Sequence, residues 1–239
     1  MASSGNEAAT ATGAPSHRRR ERYGLLLVLI VVAFAVQGVA TPNAAEQVVV
    51  SVLLSFTLLL ALSTAEARPL VVRAALLLAL GVIVASVIEA SAGNVDGKAT
   101  RIANGLLVGL APPAIAVGVV RSLRARSAVT LEAVFGVLCI YLLLGMFFAF
   151  VFGSIDHIGE GAFFAGGTAA TVSRCLYYSF STLTTAGFGD LTAASNLGHT
   201  LSVFEALLGQ IYLVTVVALI VANLGRATPR AGEGQPRER

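Results

Sequence analysis

The 239-residue chain is poor in charge and lacks tryptophan. Charged residues make up 12% of it against 56% hydrophobic ones, and the mean hydropathy is +0.83. A soluble domain of this size needs more polar surface than that. Run length excludes a soluble helical protein as well, because several stretches approach or exceed the ~20 apolar residues of a spanning helix. Without tryptophan, any interfacial aromatic belt falls to tyrosine and phenylalanine. There are two cysteines, Cys139 and Cys175, both inside apolar segments. They have neither metal-ligand spacing nor a disulfide framework, and read as core residues. The net charge of +3 and pI near 9.2 do not point to nucleic acid, because the arginines cluster at the ends of apolar runs, a pattern of membrane topology.

Six runs are long enough to span: residues 24–40, 48–65, 70–90, 102–120, 129–152 and 197–224. A shorter one, 175–183, lies between the last two. Residues 1–22 are polar, end in "HRRRER", and read as a disordered basic cytoplasmic tail. The first run is too long for a cleaved signal peptide and reads as a retained span. With the N-terminus inside, one side receives Arg18, Arg19, Arg20, Arg22, Arg68, Arg73, Arg121, Arg124, Arg126, Arg226, Arg230, Arg237 and Arg239, which is 13 of the 16 basic residues. Lys98, Arg101 and Arg174 fall outside. Adding or removing one span scrambles this pattern, so six spans with both termini cytoplasmic are expected. The organisation that follows is a tail (1–22), a four-helix membrane domain (23–126), a second membrane domain (127–225) and a cytoplasmic tail (226–239).

The segment between the fifth and sixth spans then starts and ends outside, and its short apolar run must enter the membrane and return. Irregular backbone at that depth is tolerated only where protein buries it or it lines water. There the sequence reads "TLTTAGFGDL", residues 182–191. A dehydrated cation needs oxygens in place of its water shell. Successive backbone carbonyls pointing one way supply them, in a conformation that glycine adopts with least strain. A threonine below adds a hydroxyl, and the C-terminus of a short re-entrant helix adds partial negative charge.

"TTAGFGD" resembles the selectivity filter of the potassium channel family, commonly TTVGYGD. The likeness extends upstream through "LYYSFSTLTTAGFGD", similar to the family's pore helix with its paired aromatics, and downstream to Gly209, 22 residues after Gly187. Its strong part covers residues 174–224. The four preceding spans match six-span members only in number and topology. The resemblance implies an all-α membrane protein with six transmembrane helices, a re-entrant pore helix and a filter loop between the fifth and sixth. Three further copies of the chain would complete a tetrameric pore. Thr184 and Thr185 would open the filter, and Thr185 would offer both hydroxyl and carbonyl to potassium. Ala186, Gly187 and Phe188 would add carbonyls, Gly189 would close the filter, and Asp190 would sit at its outer mouth. Tyr177, Tyr178 and Ser181 would support it from the pore helix, and Gly209 would be a hinge in the inner helix. No cofactor is implied; potassium is the permeant species.

Ala186 and Phe188 depart from the family's Val and Tyr. Phe188 has no hydroxyl for the pore helix and Ala186 fills less volume, which predicts a filter that collapses more easily. Ser181 stands where some relatives place a glutamate. Glu205, four residues before Gly209, shares its helical face and is a functional candidate as an intramembrane acid. It either reaches Ser179, Ser181 or Tyr178, or snorkels outward or meets a crevice water. Gln210 either faces the cavity below the filter or bonds a neighbouring helix.

The fourth span carries no charge between Arg101 and Arg121 and contains Pro112 and Pro113, which predict a break or kink. A voltage sensor needs a cation at about every third position, so the first four spans read as a packing collar. Neither tail is long enough for a folded ligand-binding domain. A filter gate, a lipid effect or a regulatory subunit are the remaining ways to open the pore. Asp156, His157 and Glu160, with His199 beyond, read as ordinary loop residues, with acids near a cation mouth and titrating histidines as the alternative. A weakly selective cation channel is the rival within the fold. An intramembrane serine protease lacks its pairing motif, and a transporter lacks a mirrored second half. No transit-like N-terminus is present, so the cell membrane is the expected location, with the lipid bilayer as partner and no nucleic acid.

Overall fold

The computed structural model describes residues 14–39, 43–65, 67–93, 98–125, 131–158 and 162–224. Seven α-helices appear among them: α1 (Ala14–Val39), α2 (Ala44–Thr64), α3 (Pro69–Ser91), α4 (Lys98–Ala125), α5 (Leu131–Ile158), α6 (Val172–Leu183) and α7 (Asn196–Leu224). All but α6 are long and apolar enough to cross a membrane. The 12 residues of α6 extend only about 18 Å at 1.5 Å per residue, well short of a bilayer core. The chain is an all-helical membrane protein with six candidate spans.

The helix boundaries follow local chemistry. Asn43 caps α2, its side chain accepting from the Glu46 amide at 2.8 Å, and Pro69 opens α3 at a position where its missing N–H costs nothing. Two boundaries differ from expectation. Residues 14–22, assigned to a disordered tail, are the first turns of α1, since arginine and glutamate favour helix about as much as leucine does. The fourth span is not broken: α4 runs through Pro112 and Pro113. Its small residues explain this. A Cβ added at Gly109 would come within 2.9 Å of Phe147, and one at Gly105 within 3.2 Å of Phe150, so α5 packs directly on the α4 backbone and supports a helix that continues despite the lost hydrogen bonds.

That contact is the most extensive among the described residues, and α1 packs on α5 and α6 as well. The first four helices therefore form a collar in which α1 and α4 meet α5 and α6, with α2 and α3 packed behind them. Polar residues stitch it internally: Asn104 donates to Ser51 at 3.1 Å, and Gln47 to Glu89 at 3.2 Å. Arg101, expected as an outer-side charge, is buried. Its guanidinium donates to the carbonyls of Ala170 at 3.0 Å and Gly153 at 3.4 Å, tying α4 to the end of α5 and to the strand-like lead into α6.

Gly145 of α5 decides how closely α6 approaches. A Cβ there would lie 2.6 Å from the Phe180 ring, which also meets Phe34 of α1 edge-on at 4.9 Å. Gly145→Ala is expected to destabilise the protein by about 1–3 kcal/mol through overpacking, read as a lower thermal midpoint in detergent. Phe180→Leu in the same chain should return part of the loss, whereas an unchanged midpoint for Gly145→Ala would mean that α6 moves aside freely.

Candidate functional site

The short helix α6 begins where the Thr171 hydroxyl accepts from the Arg174 amide at 3.4 Å. It buries one face (Cys175, Leu176, Tyr178, Ser179, Leu183) and leaves Tyr177 exposed. The polar groups on the buried face all find partners. Ser202 spends its hydrogen on the Gly198 carbonyl, so the Tyr178 hydroxyl donates to Ser202 at 2.7 Å.

Glu205 of α7 is wholly buried. Its Oε1 accepts from Ser179 at 2.5 Å, and the same hydroxyl lies 2.6 Å from the Gly145 carbonyl. Of the three hydroxyls expected for it, Glu205 reaches Ser179 alone. Its burial excludes a side chain snorkelling outward. A single serine therefore joins α5, α6 and α7 at one point, while Oε2 of Glu205 is buried without a hydrogen-bond partner.

Immediately after α6 the backbone changes hand at every second residue. Thr185, Gly187 and Gly189 have positive φ (57°, 56° and 80°), while Ala186 and Phe188 between them do not. Alternation of this kind turns successive peptides the same way. Ser181 holds them: its carbonyl accepts from the Gly187 amide at 3.1 Å, and its hydroxyl from the Phe188 amide at 3.3 Å. In a trans peptide the C=O points opposite the N–H. With both amides turned back to α6, the carbonyls of Ala186 and Gly187 face away from it, on the exposed side of the segment.

Two of the three positive angles fall on glycine, where they cost little. Thr185 is β-branched and strained there by about 1–3 kcal/mol. Its neighbours hold it in place: its amide donates to the Thr182 carbonyl at 2.9 Å, and its hydroxyl accepts from Gln210 at 2.8 Å. Gln210 thus lies next to the inner end of the segment. Thr184 turns back, donating to the Phe180 carbonyl at 2.6 Å. At Gly209 a Cβ would collide with the Leu183 carbonyl. The structure gives this glycine a packing role, where α7 crosses the last turn of α6, and α7 continues through it unbroken. At the other end the Tyr177 hydroxyl donates to Asp190 at 3.2 Å, and its ring stacks on Phe188 at 5.8 Å. Stacking thus supplies for Phe188 a support that its missing hydroxyl cannot.

Several residues are placed elsewhere. Asp156 accepts from the Phe163 amide at 2.7 Å, and the His199 ring bonds the Ala193 carbonyl at 2.8 Å, so both order loops. The His157 side chain and Glu160 lie outside the described residues. One support was not foreseen. Phe163–Ala165 pairs with Thr192–Ala194 through Ala165 to Thr192 at 2.9 Å and Ala194 to Phe163 at 2.8 Å, and Phe163 and Phe164 pack around Tyr178. The adjacent pair of phenylalanines in an otherwise soft, glycine-rich stretch was its only trace in the sequence.

Ser179→Ala leaves a buried carboxyl without its hydroxyl and is expected to lower stability by about 1–3 kcal/mol. In a Glu205→Leu background the same change should cost less. A double-mutant cycle in detergent should give a coupling of about 0.5–2 kcal/mol; strictly additive losses would mean that this bond contributes nothing.

Residues 136–226 match a family model described as "Ion channel". No curated protein and no solved structure matches the chain. The matched residues take in nearly all of α5, all of α6, the alternating segment and all of α7, which is the region that resembles the potassium channel family. Over residues 136–226 the chain is similar to the ion-channel family.

Proposed function

We propose that the protein is a passive potassium-selective channel whose filter is the segment Thr185–Gly189. The observation that carries this reading is the capture of the Gly187 and Phe188 amides by Ser181, which leaves the carbonyls of Ala186 and Gly187 free for a cation stripped of water. The Thr185 hydroxyl serves the inner end. Asp190, held by Tyr177, sets the charge at the outer mouth.

One chain carries one such segment, so a ring needs three further copies. The surface available for them fits: only 11% of the spanning window of α7 is buried, and Phe188 and Ile211 are 69% and 60% exposed within one chain. Gly209, at its close crossing with α6, is the point where bending of α7 would reach the filter. In this reading α4, without a charge between Arg101 and Arg121, does not move with voltage, and the arginine-rich ends favour a cell-membrane channel with both termini in the cytoplasm.

Flux through purified protein in liposomes tests this. A potassium gradient should drive flux at least tenfold above an equal sodium gradient, and Gly187→Asp should abolish it. Ser181→Ala, which frees the Phe188 amide, should narrow the ratio between the two ions before it lowers potassium flux. Equal fluxes in the unaltered chain would instead establish a weakly selective cation channel of the same fold, with the filter relaxed by Ala186 and Phe188.

A further inference from the structure

A groove of about 460 Å³ lies between α2, α3 and α4, and no residue of α5, α6 or α7 lines it. Its walls are apolar, with Leu62, Leu78, Leu110 and Val117 among them, and Arg68 and Arg121 stand at one end. Arg68 immediately precedes α3, and Arg121 lies in the last turns of α4. Leu78 is 78 − 68 = 10 residues along α3 from Arg68, and Leu110 is 121 − 110 = 11 residues back along α4. At 1.5 Å per residue the groove is about 15 Å deep, which is half of a ~30 Å hydrocarbon core, or one leaflet.

The two cationic groups are differently held. Arg121 donates to the Ala65 carbonyl at 2.5 Å, which fixes the guanidinium at the mouth and leaves further N–H donors on its planar fork. Arg68 is exposed. Among the described residues no acidic side chain lines the groove; Glu66, between Ala65 and Ala67, lies outside them. A zwitterionic headgroup would bring its ammonium beside the two guanidiniums of Arg68 and Arg121, the charged side chains among the described lining residues. A headgroup whose only charge is phosphate meets no such penalty.

We propose that this groove is a binding site for an anionic phospholipid, one acyl chain lying along Leu62, Leu78, Leu110 and Val117 and the phosphate against Arg68 and Arg121. The site is independent of the filter. Its occupant would fill the space between α3 and the rest of the collar, where Pro113 of α4 also faces the groove.

The absence of tryptophan makes the test direct, because a single introduced indole reports alone. Val71→Trp places it in the groove wall. Leu77→Trp places it on α3 at a side chain that is 71% exposed and does not line the groove. The full chain is reconstituted in mixed phosphatidylglycerol and phosphatidylcholine vesicles in which one lipid or the other is brominated. At the groove reporter, brominated phosphatidylglycerol is expected to bind about fivefold or more better than brominated phosphatidylcholine, the scale of one arginine at an anionic surface. The other reporter should show no such preference, and Arg68→Gln with Arg121→Gln should remove it from the first. Arg68→Gln alone, at an exposed position, should remove part of it and keeps the test open if loss of the Arg121 bond to Ala65 disturbs folding. Equal quenching by both lipids at the groove would overturn the proposal, as would a preference that survives each arginine substitution. Relief of quenching by millimolar inorganic phosphate would also overturn it, since the site would then take the free anion without the acyl chain.

Discussion

The bond between Ser179 and Glu205 is the point on which the C-terminal half of the molecule is organised. It brings a carboxyl to zero exposure, which is unfavourable unless the carboxyl is hydrogen-bonded. The serine that receives it also lies against the Gly145 carbonyl, so α5, α6 and α7 can shift relative to one another only by exposing a buried polar group. Two glycines make the junction possible. Gly145 admits Phe180 and Gly209 admits the Leu183 carbonyl at the end of α6. A helix of only 12 residues, which would be marginal alone, is thereby set at a defined depth between its neighbours.

With α6 held in this way, the segment after it is constrained in turn. Ser181, two residues from Ser179, presents both its carbonyl and its hydroxyl to the backbone of Gly187 and Phe188. Buttresses stand at both ends: Gln210 on Thr185 at the inner one, Tyr177 on Phe188 and Asp190 at the outer one. The strain of a threonine at positive φ is offset by these contacts. Alternation of hand in the backbone is thus a consequence of side chains on two different helices.

The collar has a different character. It holds α5 through bare glycine backbone on α4 and reaches α6 through Phe34 and the Ser173 bond to Gly38 at 3.0 Å. Rigid contacts of this kind transmit displacement, because packed interiors deform little. Whatever alters the spacing of α2, α3 and α4 therefore acts on the same α5 that meets Ser179.

Length and hydropathy alone determined that six stretches are long and apolar enough to cross a membrane, because a spanning helix must be about 20 apolar residues whatever it packs against. The glycine pair, the double threonine and the aspartate determined where the unusual backbone lies, since few residues tolerate positive φ. Composition did not settle which way side chains point or what lies across from them. Glu205 had three equivalent hydroxyls in reach by spacing, and only the crossing of α6 and α7 selected Ser179. Pro112 and Pro113 read as a break because local rules count the lost hydrogen bonds and not the helix packed alongside. The pairing of residues 163–165 with 192–194, and the burial of Arg101, depend on contacts between segments distant in the chain, which no local pattern encodes. Tertiary structure decided these, because each is a choice among partners that only the packed helices bring together.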